Sequence, residues 1–316
     1  MDRRTATLVG LTAVVMWSTL AVFTAASGPV PPFLMNALCF GLSGILGLAV
    51  VGVRSGGLAV LRQPWPVWLL GVGGLFGYHF FYFTALKAAP PVEAGLICYL
   101  WPLLIVALSA LLPGERLRLH HVVGCLLGLA GAALIVTRGG GVGFSLEPAP
   151  GYLAALVAAF IWAGYSVLSR RFSDVSSDAV FGFCLATAAL SALCHLLFEE
   201  TVWPADATEW LAVLALGLLP VGLAFFTWDI GMKRGDIQVL GAASYAAPLL
   251  STLFLIAFGF SAFTFAVGAA CLLISGGGLI AAKDMLRRRG GATDGAPRPS
   301  QRSSTRSSGS TASGIS

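Results

Sequence analysis

Two stretches of the chain, residues 74–102 and 220–248, contain most of the side chains that could bind a ligand. Aromatic rings can stack on another ring or attract an ammonium group, while hydroxyl and imidazole groups can hydrogen-bond to charged groups. The candidate binding residues, which include two tryptophans outside these stretches, are Trp17, Tyr78, His79, Tyr82, Tyr99, Trp101, Trp162, Ser244 and Tyr245. Their chemistry predicts a site that binds a small molecule without reacting with it.

The sequence lacks the usual signatures of catalysis and of metal or cofactor binding. It contains no G-x-S-x-G, H-E-x-x-H or G-x-x-x-x-G-K-[ST] pattern, and Asp174 and Asp178 form only an isolated pair. All six cysteines lie in apolar runs without a C-x-x-C pair, so we expect neither disulfides nor a metal site. We therefore expect no cofactor and no enzymatic activity.

Each candidate residue also has a purely structural interpretation. Tyr78, His79 and Tyr82 could belong to an aromatic belt at the membrane surface. They begin about 18 Å into a predicted helix, at ~1.5 Å per residue, which favours the lining of a cavity. His79 could equally be a packed histidine, and Trp17 and Trp162 could simply pack between helices. Both interpretations stay open at this point.

The composition places these residues in a membrane. The chain has 316 residues, of which 57% are hydrophobic and 10% charged, and its mean hydropathy is +0.86. Soluble proteins have about 25% charged residues, so most of this chain cannot face water. A spanning helix needs roughly 20 mostly apolar residues. Ten segments meet this criterion, at about 6–26, 32–52, 66–87, 92–111, 119–137, 151–169, 178–198, 209–231, 238–257 and 262–282.

The first segment resembles a secretory signal peptide, but its cleavage would leave the first half of the chain one helix short of the second. We therefore interpret it as a retained span, and the sequence predicts an all-α polytopic membrane protein.

The basic residues predict the orientation of the helices. With the N-terminus inside, all 19 Lys and Arg residues except Lys87 and Arg138 fall on the inner side, as the positive-inside rule requires. This bias also explains the net charge of +5 without a nucleic-acid partner. We expect a monomer in the lipid bilayer with both termini in the cytoplasm.

The stretch 74–102 is repeated in 220–248 with a shift of 146 positions. The matching pairs are Phe80 with Phe226, Lys87 with Lys233, Tyr99 with Tyr245, Pro102 with Pro248 and, at a shift of 145, Trp17 with Trp162. Each half contains five predicted helices, an odd number, so the two halves enter the membrane from opposite sides. We assign the halves to residues 1–140 and 150–285, and residues 290–316 to a disordered cytoplasmic tail.

Inverted repeats of this kind are typical of secondary transporters, whose substrate sites lie near the midplane between the halves. Pro102 and Pro248 interrupt their helices at equivalent points, which predicts helix breaks that help to open and close a pathway. We expect more binding side chains from the first half than from the second. Asp229 and Lys233 are predicted to form a structural ion pair, and an inner gate is the minor alternative.

The run GYHFFYFTALKAAPPVEAGLICYLWPLLIVALSALLPGE, residues 77–115, carries a family resemblance. With the ten spans and the inverted repeat, the chain resembles the EamA-type drug/metabolite transporter superfamily over residues 1–285, and this run looks like its bacterial aromatic amino acid exporters. The second half departs from the pattern, with Phe260-Ser261 in place of Gly114-Glu115.

The resemblance implies ten helices around a central cavity, alternating access, and export of Phe, Tyr and Trp across a bacterial inner membrane. The alternatives are a multidrug or quaternary-ammonium exporter of the same superfamily, a membrane-embedded lipid-modifying enzyme, and a passive channel. No carboxylate is expected deep in the membrane to pair with a cationic drug.

Overall fold

The computed structural model describes residues 1–54, 57–140, 147–257 and 262–283, and within these ranges it contains helices but no strands. They belong to one compact unit, Met1–Lys283. Nine of its helical segments are long and apolar enough to cross a membrane, and a tenth is shorter. In chain order they are α1 Arg3–Ala26, α2 Pro32–Gly52, α3 Trp65–Ala88, α4 Pro91–Ser109, α5 Leu119–Val136, α6 Ala149–Phe172, α7 Ala179–Phe198, α8 Ala207–Arg234, α9 Ile237–Phe254 and α10 Phe265–Ala281.

These are the ten segments that the sequence predicts. Helices are the expected element because an apolar surrounding offers no water to the backbone, so each segment must satisfy its own N–H and C=O groups. Prolines mark several of the starts: α2 and α4 begin at Pro32 and Pro91, and Pro66 is the second residue of α3. Proline suits this position because the first N–H groups of a helix have no intrahelical partner. The predicted tail, residues 290–316, lies outside the described residues, as does Phe260-Ser261.

Two of the segments are broken at equivalent points. In α4 the helix Pro91–Cys98 ends and a new helix, Trp101–Ser109, begins with Pro102 as its second residue. In α9 the helix Ile237–Ala243 is followed by Ala246–Ala257, which contains Pro248. Because Pro102 has no N–H to donate to the carbonyl of Cys98, the α-helical ladder cannot continue through this point. The breaks therefore lie next to the prolines from which they were predicted.

Two other segments are irregular without a symmetric counterpart. The segment α1 consists of the helices Arg3–Trp17 and Leu20–Ala26. The segment α8 contains a π-helical turn, Gly217–Leu223, with Pro220 inside it. Single π turns within helices are rare and occur often at functional sites.

The helices pack in pairs that respect the repeat. α1 packs on α8, α3 on α6, α2 on α7, α4 on α9 and α5 on α10. Exchanging each helix of the first half with the helix five places later converts this set of pairs into itself. The packing is therefore that of two repeated halves related by a pseudo-twofold axis, and the broken helices α4 and α9 face each other across it.

Candidate functional site

Five aromatic side chains meet between the two halves, and we call them the ring cluster: Trp17, Trp101, Trp162, Phe225 and Trp228. The ring centroids of Trp17 and Trp228 are 5.0 Å apart, those of Trp17 and Trp162 5.8 Å, and those of Trp101 and Trp162 6.3 Å. Trp17 is half-buried and the other four are buried. The ring cluster brings together three of the predicted binding residues, Trp17, Trp101 and Trp162.

The tyrosines and the histidine of α3 extend the ring cluster on one side. The Tyr78 ring lies 5.5 Å from Trp162 and stacks on Tyr82 at 5.7 Å, while His79 lies 6.1 Å from Phe225. All three α3 side chains are only partly buried. They are therefore in a position to reach a ligand that enters beside the cluster.

The ring cluster and the α3 side chains beside it include three pairs of symmetric partners. Trp17 and Trp162 are related by the 145-residue shift, and His79 and Tyr82 by the 146-residue shift to Phe225 and Trp228. Trp101 breaks the symmetry, because its counterpart in the second half is an alanine. The second half thus contributes more rings than the sequence alone led us to expect.

Hydrogen bonds fix several of these side chains and leave a few polar groups for a ligand. The Trp17 indole donates to the Pro220 carbonyl at 3.0 Å, inside the π-helical turn, and the Trp228 indole donates to Ser166 Oγ at 3.1 Å. Of the tryptophan indoles in the ring cluster, only those of Trp17 and Trp228 donate a hydrogen bond to a described residue. The indole N–H groups of Trp101 and Trp162 remain for a ligand.

His79 contributes an acceptor. Its Nδ1 lies 2.7 Å from the Leu75 carbonyl, and a carbonyl oxygen can only accept, so Nδ1 carries the hydrogen. The Nε2 of the neutral ring is then an acceptor. The edge of Phe40, at a centroid distance of 5.1 Å, packs against the imidazole and helps to hold it in place.

The remaining predicted residues divide into two groups. Tyr99 lies at the α4 break, half-buried, with Tyr82 and Cys98 as neighbours of its hydroxyl. Ser244 and Tyr245 lie at the α9 break, but the structure does not bring them to the ring cluster. Ser244 donates to the Leu240 carbonyl at 2.7 Å, and Tyr245 packs among the side chains between α5, α9 and α10.

Sequence reasoning did not single out Phe40, Phe225 or Trp228 as site residues. The repeat carried a signal for two of them, since Phe225 and Trp228 match His79 and Tyr82. Phe40 has no comparable signal. It lies on α2 in an ordinary apolar run and reaches the site only through the tertiary packing, where it stacks on Phe225 at 5.5 Å.

A buried ion pair lies directly below the ring cluster. Asp229 follows Trp228 in α8, and its carboxylate is 2.8 Å from Lys233 Nζ, with 2% and 5% of the two side chains exposed. Ser177 donates to the same carboxylate at 2.6 Å. The predicted ion pair of Asp229 and Lys233 is therefore confirmed, and the Asp229 carboxylate is buried. Its charge is already neutralised by Lys233, so the pair is structural in this conformation.

A cavity of about 10 Å³, large enough for about one water molecule, lies beside this ion pair and is lined in part by Tyr165, Asp229 and Lys233. The Tyr165 ring contacts Trp162 at 5.3 Å. Since both rings belong to α6, the cavity lies next to the ring cluster.

Comparison with known proteins identifies the family. The sequence model of the EamA-like transporter family matches residues 4–137 and again residues 149–282. The chain belongs to the EamA-like transporter family. The two matches are offset by the same 145 positions that relate Trp17 to Trp162. Membership of this family and the apolar helices make the chain a multi-pass membrane protein.

Individual relatives within the EamA-like transporter family are similar over most of the chain. A protein of Ancylobacter novellus named aromatic amino acid exporter YddG is 61% identical over 92% of this chain and 100% of its own length. A protein of the same name from Escherichia coli is 26% identical over 89% of this chain and 97% of its own length. A solved crystal structure at 60% identity superposes with a TM-score of 0.86, covering 91% of this chain and 100% of its own.

Proposed function

We propose that this protein exports amino acids, with a preference for Phe, Tyr and Trp, by alternating access through the space between its two halves. The observation that carries the proposal is the 61% identity to a relative named an aromatic amino acid exporter, which extends over that relative's whole length. At this level of identity over ten spans, we expect the helices and the ring cluster to be arranged alike in the two proteins.

The chemistry of the site supports an aromatic amino acid as substrate. Its side chain can stack within the ring cluster, where aromatic pairs are worth about 0.5–1.5 kcal/mol beyond area burial. The ammonium group can donate to His79 Nε2 and lie over a tryptophan face. The carboxylate can accept from the indole N–H groups of Trp101 and Trp162.

The site residues take different parts in this proposal. Trp17, Tyr78, Tyr82, Trp162 and Tyr99 form the walls that the substrate side chain contacts. Ser244 and Tyr245 would contribute only in a conformation that turns α9 toward the ring cluster. The breaks next to Pro102 and Pro248 supply the hinges for that change.

The distribution of charge supports a bacterial inner-membrane location with both termini in the cytoplasm. In this orientation the end of the bundle that holds Arg3 faces the cytoplasm, and the α3–α4 turn faces the outside. The proposal assigns residues 1–140 and 150–285 to the two halves that move relative to each other, within a single chain.

Uptake into proteoliposomes tests this function. Labelled Phe and Trp should enter by a saturable process, and unlabelled Phe trapped inside should accelerate entry by counterflow. His79→Phe keeps a ring but removes the acceptor, so we expect a several-fold loss of transport with expression intact. Absence of saturable uptake for both amino acids would exclude the proposed substrates.

The same assay separates the competing functions. Quaternary ammonium compounds that compete with Phe at equal concentration would favour the multidrug alternative, since aromatic cages also bind such cations. Flux that does not saturate or show counterflow would indicate a passive channel. Repeating the assay with and without a pH gradient determines whether a proton is coupled to transport.

A further inference from the structure

A network of arginine–carboxylate contacts lies at the end of the bundle that holds the N-terminus. Arg3 Nη2 is 3.1 Å from Glu115 Oε2 and 3.2 Å from Asp236 Oδ2. Arg170 Nη1 contacts the other oxygen of Glu115. Only 8% of the Glu115 side chain and 18% of the Arg170 side chain are exposed, so water screens this contact poorly. We call these four residues, Arg3, Glu115, Arg170 and Asp236, the arginine network.

Arg170 also holds the end of α8 through its backbone. Its Nε donates to the Met232 carbonyl at 2.9 Å and its Nη2 donates to the Gly235 carbonyl. A guanidinium can serve a carboxylate and two carbonyls at once because its five donors form a planar fork. One side chain thus connects the end of α4, the end of α6 and the α8–α9 turn.

The arginine network joins the two halves of the repeat. Arg3 and Glu115 belong to the first half, and Arg170 and Asp236 to the second. Glu115 pairs with residues 112 positions before it and 55 positions after it in the sequence.

Among the described residues, the opposite end of the bundle has no equivalent network of arginines. By the repeat, the counterparts of the four residues are Pro148, Ser261, Ala25 and Pro90, none of which is charged. Ser261 lies outside the described residues, and its identity alone excludes an ion pair. In the part of the chain that the structure describes, every Lys or Arg bridge to a carboxylate lies at the N-terminal end.

Both ends have a hydrogen bond from the matching position of the repeat, Thr7 at one end and Tyr152 at the other. The two ends therefore do not differ in every contact. At the N-terminal end Thr7 Oγ1 accepts from the Asp236 backbone N–H at 2.8 Å. At the other end the counterpart of Thr7, Tyr152, donates to Glu93 in the first turn of α4. The other end also has a carboxylate link between the halves, because Glu199 accepts from the backbone N–H groups of Phe33 and Leu34. What is additional at the N-terminal end is the set of arginines.

The burial of the two broken helices shows which end is closed. Six of the seven residues of Ile237–Ala243 are buried, against three of the eight residues of its counterpart Pro91–Cys98. Two halves with equal surroundings would bury these helices equally. The structure is therefore closed at the end with the arginine network and more open at the other.

We propose that the arginine network is a one-sided latch that closes the cytoplasmic end and biases the empty transporter toward its outward-facing state. When the protein opens to the cytoplasm the network must break, and no equivalent forms at the outer end to compensate. The inference rests on the orientation and the alternating access of the proposed function. Because a ligand that needs a minor state binds more weakly in proportion to that state's population, the latch lowers the apparent affinity for cytoplasmic substrate.

Hydrogen–deuterium exchange of the purified full-length protein, without substrate, tests the latch. The variant Glu115→Gln keeps the shape of the side chain but removes the charge that both arginines contact. We expect the hydrogen-exchange rate of residues 237–243 to rise about tenfold. This factor corresponds to the low end of the free energies measured for a hydrogen bond to a charged group. Residues 91–98 should exchange more slowly at the same time, because the outer end closes when the cytoplasmic end opens.

The reciprocal change distinguishes a latch from a loss of stability. Faster exchange in both segments, or no change in either, would overturn the proposal. Arg54→Gln is the matched control, since Arg54 pairs with Asp178 at 3.4 Å at the same end but joins only the packed pair α2 and α7; its exchange should match the wild type in both segments.

Arg170→Gln is the second variant and should reproduce the reciprocal change if Glu115→Gln does not yield folded protein. The measurement needs no transported substrate, so a failed latch and a failed substrate assignment give separate results. An intact transporter of some other compound would still show the reciprocal change.

Discussion

The first halves of α4 and α9, Pro91–Cys98 and Ile237–Ala243, derive from the same repeated sequence but lie in different surroundings. The equivalent glycines, Gly95 and Gly241, differ in how closely their neighbours pack. A Cβ on Gly241 would meet Val106 at 2.8 Å and the Pro102 carbonyl at 3.1 Å, whereas a Cβ on Gly95 would meet nothing within 4 Å. A nearly symmetric chain can thus adopt an asymmetric state, and we propose that the unpaired arginine network decides which end closes. Substitutions at matched positions of the two ends should therefore have unequal effects.

The largest difference should separate the two equivalent lysines. Lys233→Met leaves the buried Asp229 carboxylate without its partner and should cost about 3–5 kcal/mol. Lys87, its counterpart at the opposite end of the bundle, is exposed and lies 5.9 Å from the centroid of the Phe33 ring, so Lys87→Met should cost no more than about 1 kcal/mol. Thermal unfolding of both variants in one detergent measures the difference, and equal shifts would contradict it.

The next effect concerns the aromatic residue that lacks a symmetric partner. Trp101→Ala removes a ring that contacts Trp17 at 6.2 Å and Trp228 at 5.9 Å. We expect the ratio kcat/KM for tryptophan transport to fall about 10- to 100-fold, roughly 1.4–2.7 kcal/mol of binding and transition-state stabilisation.

A tryptophan outside the site provides the control for this variant. Trp203 is exposed and stacks on Trp210 at 6.2 Å, away from the ring cluster. Trp203→Ala should transport at the wild-type rate. If both variants lose transport equally, the ring cluster is not the binding site.

The equivalent glycines give a smaller but cleaner comparison. Gly241→Ala adds a methyl group where the backbone and Val106 already fill the space, which should destabilise the protein by about 1–3 kcal/mol. Gly95→Ala adds the same group to open space in a helix and should stabilise it by about 0.5–1 kcal/mol. Chemical or thermal unfolding measures both. Similar values for the two variants would show that the ends are equally packed.

The smallest effect should come from the link that both ends share. Thr7→Val preserves the shape of the side chain but removes the acceptor of the Asp236 N–H, at a cost of about 1 kcal/mol. Thr12→Val is the control, because Thr12 is exposed on the same helix and bonds only to the Val9 carbonyl. A loss for Thr7→Val as large as that of Lys233→Met would mean that the shared link, not the charge, holds this end.

Local features of the sequence were enough to predict the spans and their breaks. Apolar length determines a membrane helix, and Pro102 acts within one turn of its own position, so neither prediction depends on the rest of the chain. The repeat also identified Trp17 and Trp162 as equivalent residues 145 positions apart, and their rings are in contact in the structure.

Features that depend on one particular conformation could not be predicted. Symmetry placed Tyr245 beside Tyr99 in the site, but in the structure its ring packs against Gly128 on α5. The pairing of Glu115 with Arg170, and the burial of Asp229, likewise arise only when distant helix ends meet. The spacing of Asp229 and Lys233 predicted their pairing but not its burial, and nothing in the sequence indicated that Glu115 would pair with Arg170.

The π-helical turn of α8 accommodates one extra residue that the second half of the repeat has relative to the first. Trp65 and Trp210 are 145 positions apart, whereas Phe80 and Phe226 are 146 apart, so the second half gains one residue between Trp210 and Phe226. The turn Gly217–Leu223 lies in this interval, and a π turn holds one residue more than an α turn. The extra residue is therefore absorbed inside the membrane, and the part of α8 that follows keeps the rotational phase of α3. Without that wider turn, every later side chain of α8 would be rotated by about 100°, and Trp228 would face away from Trp17.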